Sequence, residues 1–108
     1  NNSYQITCYE KDTGFSINFL INSKNRRIKY INSFNPKGKQ SFAGEKELRI
    51  IDWRNDGYVL AFRNSSTDGM PNISLFNLNI PSQMLVGFYD GEVPPYISSR
   101  TCFKAKDK

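Results

Sequence analysis

A chain of 108 residues with 38% apolar and 14% aromatic content has the size of one domain with one core, so residues 1–108 are read as a single unit. The aromatic share weighs against disorder, and no apolar run approaches the roughly 18 residues that a membrane-spanning helix needs. A formal charge of +5 biases the chain toward acidic surfaces, and the absence of histidine removes the commonest general base and metal ligand.

Hydrophobic residues recur at every second position almost throughout, the period of a half-buried strand. The first predicted strand, 4–9, contains Cys8. "EKDTG" turns the chain into 14–21, where Phe15, Ile17, Phe19 and Ile21 share one face and Ser16 and Asn18 the other. "NSKN" makes a short hairpin into 26–32, with Ile28 and Tyr30 opposite Arg27 and Lys29. "NPKGKQ" reads as a long polar loop, and one helical turn is expected around Gly44 to Leu48. Strands follow at 47–53 and 57–63, joined through "WRNDGY" with Gly57 at positive φ. Alternation puts Trp53 on the face opposite Ile50, where it is either an exposed anchor for a partner or a cap on the core at a barrel rim. Further strands are predicted at 72–79, 83–90 and 97–104, separated by "NIPSQ" and "DGEVPPY". Eight short strands at regular spacing give an all-β fold: one small antiparallel β-sandwich or barrel of about 7–8 strands.

Cys8 and Cys102 bracket nearly the whole chain, in "QITCY" and "SRTCFK". They are either a disulfide tying the terminal strands together or two buried thiols acting as small apolar groups. The disulfide is the reading adopted, and it places the protein in an oxidising compartment, secreted or periplasmic. Asn1 in place of Met is what a cleaved leader would leave. Asn1, Asn64 and Asn72 open Asn-X-Ser triplets, which matter only in a eukaryotic secretory pathway.

The stretch "NSKNRRIKYINSFNPKGKQ" carries Lys24, Arg26, Arg27, Lys29, Lys37 and Lys39 and no acid. A nucleic-acid surface needs exposed aromatics beside its cations, and here alternation sends Tyr30 inward. The charges therefore read as the wet side of a hairpin, with docking on an anionic partner as the lesser alternative. Asp52 and Asp56 flank a turn, Asp90 and Glu92 flank Gly91, and Asp beside Gly is turn chemistry more than catalysis. None of these acids follows the ordered alternation of an EF-hand loop, so no metal and no cofactor is expected. With no base to activate a serine, the chain is read as not an enzyme.

The layout "YQITCY" at the start and "RTCFK" at the end resembles small periplasmic β domains whose first and last strands are bridged by cysteines, such as the C-type lysozyme inhibitors of bacteria. The likeness is one of strand and cysteine pattern over the whole chain, and it implies a periplasmic β domain. That family carries a Ser-Gly-rich stretch followed by Tyr in the loop that enters the lysozyme cleft. Here the comparable region reads "NSSTDGMPN", and no inhibitory residue is carried over.

The expectation is a small exported binding or accessory protein that works through surface contacts with another protein. Candidate contacts are Trp53, Arg54, Lys24, Arg26, Arg27 and Met70. The alternatives are an inhibitor of a periplasmic or extracellular enzyme, and a structural subunit of an extracellular assembly whose edge strands near the termini add to a neighbour. Nucleic acid is disfavoured as partner, no membrane span is expected, and a homo-oligomer or larger assembly stays open.

Overall fold

The computed structural model describes the backbone of residues 3–64, 71–78, 83–89 and 96–104, with side chains described for 3–40, 45–62, 73–78 and 100–104. Nine strands form: β1 (Ser3–Tyr9), β2 (Ser16–Asn22), β3 (Arg27–Phe34), β4 (Gln40–Glu47), β5 (Arg49–Trp53), β6 (Tyr58–Asn64), β7 (Pro71–Asn77), β8 (Gln83–Tyr89) and β9 (Tyr96–Lys104). Among the described residues there is no helix, and none long and apolar enough to cross a membrane. The all-β antiparallel class expected from periodicity is the class observed.

The strands lie in the order β4-β3-β2-β1-β9-β8-β7-β6-β5, every neighbouring pair antiparallel. One detail of that order dictates the tertiary shape. β4 and β5 stand at opposite edges of the sheet, yet only Leu48 separates them in the chain. A flat sheet of nine strands spans about 38 Å at the usual interstrand spacing, which one residue cannot bridge. The sheet must therefore roll until its edges meet. Leu48 is the corner: it is buried, and its N–H donates to the Ile28 carbonyl at 2.9 Å before the chain leaves β3 for β6. At the opposite side β9 is shared, pairing with β8 over 96–102 and with β1 over 101–104. The result is sandwich-like, with two layers joined at β9 and at the Leu48 corner.

The core lies between the layers. Ile6, Cys8, Phe19, Ile21, Ile28 and Tyr30 come from β1–β3, and Val59, Ala61 and Phe76 from β6 and β7. Phe19 meets Tyr30 edge-on at 5.8 Å and Phe76 edge-on at 5.1 Å, the arrangement that aligns ring edges with ring faces. Cys8 and Cys102 are register partners on β1 and β9 and form a disulfide, fully buried, closing 94 residues of chain.

Four expectations are corrected here. The helical turn expected at Gly44 to Leu48 is strand as far as Glu47 and a corner at Leu48, because the backbone of 40–47 pairs with β3. "QSFAGEKE" hides that strand from pattern reading, since its apolar residues do not alternate. The loop "NPKGKQ" is a tight turn over 35–39: Asn35 Oδ1 accepts the N–H groups of Lys37 at 3.0 Å and Lys39 at 2.9 Å, and Gly38 takes φ 79°. The terminal strands are not edges. β1 and β9 pair with each other in mid-sheet, and the edges are β4 and β5, blunted by register shifts and by Glu45, Lys46 and Glu47.

The fourth correction concerns Trp53. A bulge in β5 lets Ile50 pair with Ala61 and Asp52 with Leu60, so Ile51 is passed over. The extra residue resets the alternation. Ile50 and Trp53, expected on opposite faces, both pack against the core, while Ile51 is 52% exposed.

Candidate functional site

The basic stretch is a hairpin seen end to end. β3 has eight residues, about 26 Å of extended chain, so Lys24, Arg26 and Arg27 lie at one end of the sandwich and Lys37 and Lys39 at the other. Charges that are contiguous in sequence are thus divided between two poles. Arg27 reaches Glu47 on β4 at 3.8 Å. Both side chains are about half exposed, so the pair contributes at most about 1 kcal/mol. Lys24 is exposed at the turn tip.

At the end that holds Lys24 and Arg26, two turns meet. The β2–β3 turn is set by Asn22, whose Oδ1 accepts the Asn25 N–H at 3.0 Å, and by Arg26 at φ 56°. A non-glycine residue in that region costs roughly 1 kcal/mol, so other contacts must hold it there. The Arg26 guanidinium supplies them: it donates to the Trp53 carbonyl at 3.4 Å and to Asn55 Oδ1 at 3.2 Å. The β5–β6 turn is itself closed by Arg54 N–H to the Tyr58 carbonyl at 2.9 Å and Gly57 N–H to the Arg54 carbonyl at 3.1 Å, with Gly57 at φ 94° as anticipated. Asp56 does turn chemistry here, accepting the Tyr58 N–H at 3.3 Å and the Arg54 guanidinium at 3.1 Å. Leu78, beyond β7, donates its N–H to the Gly57 carbonyl at 2.9 Å.

Beside this end, on the outer side of β5–β7, an open groove of about 330 Å³ is lined by Asp52, Arg54, Tyr58, Leu60 and Leu75. Its floor follows from register, because Asp52, Leu60 and Leu75 are neighbours across three strands on one face.

Of the predicted contacts, Lys24, Arg26, Trp53 and Arg54 are therefore assembled at one end. Arg27 stands at the start of β3, turned to β4. Trp53 is half-buried and contributes its carbonyl, with its ring on the core side. Met70 lies outside the described residues, as do Asp90 and Glu92. Pattern reading missed Asn55, Tyr58, Leu60 and Leu75. A signal for Leu60 exists: in "YVLAF" both alternating sets are apolar, which marks a strand needing cover on both faces. Among the described residues no three potential metal ligands cluster.

Compared with known protein families, curated proteins and solved structures, the chain matches none.

Proposed function

We propose that this is an exported binding protein that acts by surface contact with another protein, through the end of the fold where the β2–β3 and β5–β6 turns are joined. The observation that supports this reading is the Arg26 link. A residue in a costly backbone conformation spends its side chain tying two turns together, and such strain collects at functional surfaces. The joined turns present Lys24, Arg54 and Asn55 from a fixed base, so little conformational entropy is lost when a partner docks. Export is supported by the buried disulfide, which persists in a secreted or periplasmic setting. A binding role is preferred over catalysis because the chain has no histidine and its turn carboxylate Asp56 is occupied locally.

Nucleic acid is a poor partner by the same geometry. Lys24, Arg26 and Arg27 are separated from Lys37 and Lys39 by the length of β3, and of the two aromatics in the stretch Tyr30 is buried and Phe34 is half-buried. Inhibition of a periplasmic or extracellular enzyme is one form that the proposed contact can take.

The experiment is capture from the native extracellular or periplasmic extract with immobilised protein, wild type beside the triple variant Lys24→Ala, Arg26→Ala, Arg54→Ala. A protein retained by wild type and released by the variant, with the fold intact by circular dichroism, is the expected result. Equal retention by both would remove this surface from consideration.

A further inference from the structure

The outer face of β6 and β7 is apolar although the core lies on the other side. Val59, Ala61 and Phe76 point inward and are buried. Their sequence neighbours Leu60, Phe62, Ile73 and Leu75 point outward, are half-buried, and stand outside the core cluster. An antiparallel sheet that faces water on one side alternates apolar with polar residues; this one carries apolar residues on both, which marks a surface made to be covered.

Register arranges the face as two adjacent rows. One row reads Asp52, Leu60, Leu75 across β5, β6 and β7, and the next reads Arg49, Phe62, Ile73. Each row has two apolar residues and ends, on the β5 side, in a single charge. The two charges are opposite in sign, and among the described residues neither makes an ion pair. The bulge at Ile51 is what brings Asp52 onto this face beside Leu60.

We infer that this face binds a second copy of the chain. The two rows exchange under a two-fold axis that lies in the face, across the strands and midway between the rows. In that pose Asp52 of each copy faces Arg49 of the other, Leu60 faces Phe62, and Leu75 faces Ile73. Both ion pairs form at once, at the rim, while the apolar rows close on each other at the centre. Phe62 of one copy enters the groove floored by Leu60 and Leu75 of the other. An isologous contact requires this self-complementarity, in which residue i meets j and j meets i. A face bearing one sign of charge would repel its own copy.

The test is sedimentation of the intact chain from about 1 µM to about 1 mM, the span of weak to moderate dimers. A concentration-dependent dimer is expected. Leu60→Glu with Leu75→Glu should abolish it, and because these side chains face outward the fold should survive by circular dichroism. The charge variants provide the second arm should that pair fail to fold. Arg49→Asp or Asp52→Arg alone places like charges opposite each other twice per dimer and should weaken it about tenfold, and the double swap should restore it to within about threefold. A monomer throughout, a dimer indifferent to these substitutions, or a double swap no better than the singles would each overturn the inference.

Discussion

Gly14 and Gly38 both adopt positive φ, at 77° and 79°, in turns at the same end of the fold, yet their surroundings differ. A Cβ added at Gly14 would come within 3.0 Å of the Pro36 Cβ, whereas at Gly38 nothing lies within 4 Å. Gly38→Ala therefore meets only the backbone penalty, about 1 kcal/mol. Gly14→Ala meets that and a collision with a rigid ring whose turn cannot easily retreat, and should cost about 1–3 kcal/mol more. Urea unfolding of the two variants checks the difference, and equal midpoints would show that the turns do not pack against each other. At this scale the sequence was informative where a residue's own backbone preference decides: Gly57 at positive φ and Asp56 as a turn acid are both legible in "WRNDGY". It was uninformative about Arg26, since nothing local to arginine marks a left-handed residue. That conformation is held by groups 27 and 29 positions away.

At the scale of the element, strands with clean alternation were legible and those without were not. "SINFLIN" and the first half of "RIKYINSF" bury alternate residues as their pattern demands, which places Phe19, Ile21, Ile28 and Tyr30 in the core; beyond Tyr30 the register shifts past Ile31, and the next buried residue is Ser33. On the outer side of the same layer, Thr7 donates to Asn18 at 2.6 Å and Asn18 to Asn32 at 2.7 Å, a polar ladder across β1–β3 that contrasts with the apolar face of β6–β7. β5 departs from simple alternation through its bulge, and a deletion tests this directly. Removing Ile51 from a bulged strand leaves Ile50 and Trp53 inward and Asp52 outward, as they are now. Removing it from a regular strand would turn Trp53 over, because one residue of slip reverses every side chain. The fluorescence of Trp53, the lone tryptophan, is expected to keep its emission maximum on deletion of Ile51. A shift comparable to that on unfolding would contradict the bulge.

Across the whole molecule, the two layers are continuous through β9 and through the Leu48 corner. The β1–β9 seam has four register pairs, and the disulfide lies within it, between Cys8 and Cys102. The bond therefore fastens the first strand to the last where few backbone hydrogen bonds do so. Closing 94 residues removes about 4–5 kcal/mol of unfolded-state entropy, a large part of the stability of a domain this size. Reduction under denaturing conditions followed by return to reducing buffer should lower the unfolding free energy by that amount, read as a lower urea midpoint. A midpoint that ignores the redox state would mean that the seam holds without the bond.

The amino-acid sequence alone determined that this chain forms short antiparallel strands around one core, and which side chains of β1–β3 enter it. Alternation at period two is a local property, and burial of one face follows from it wherever no residue is skipped. It also nominated Cys8 and Cys102 as partners by their placement at the two ends. Only the tertiary structure decided that β4 and β5 meet at Leu48, that one cationic run is divided between two poles, and that Arg26 joins two turns. Each of these depends on which strands become neighbours. Neighbours are chosen by how the sheet rolls to bring its edges together, and no window of sequence contains that distance.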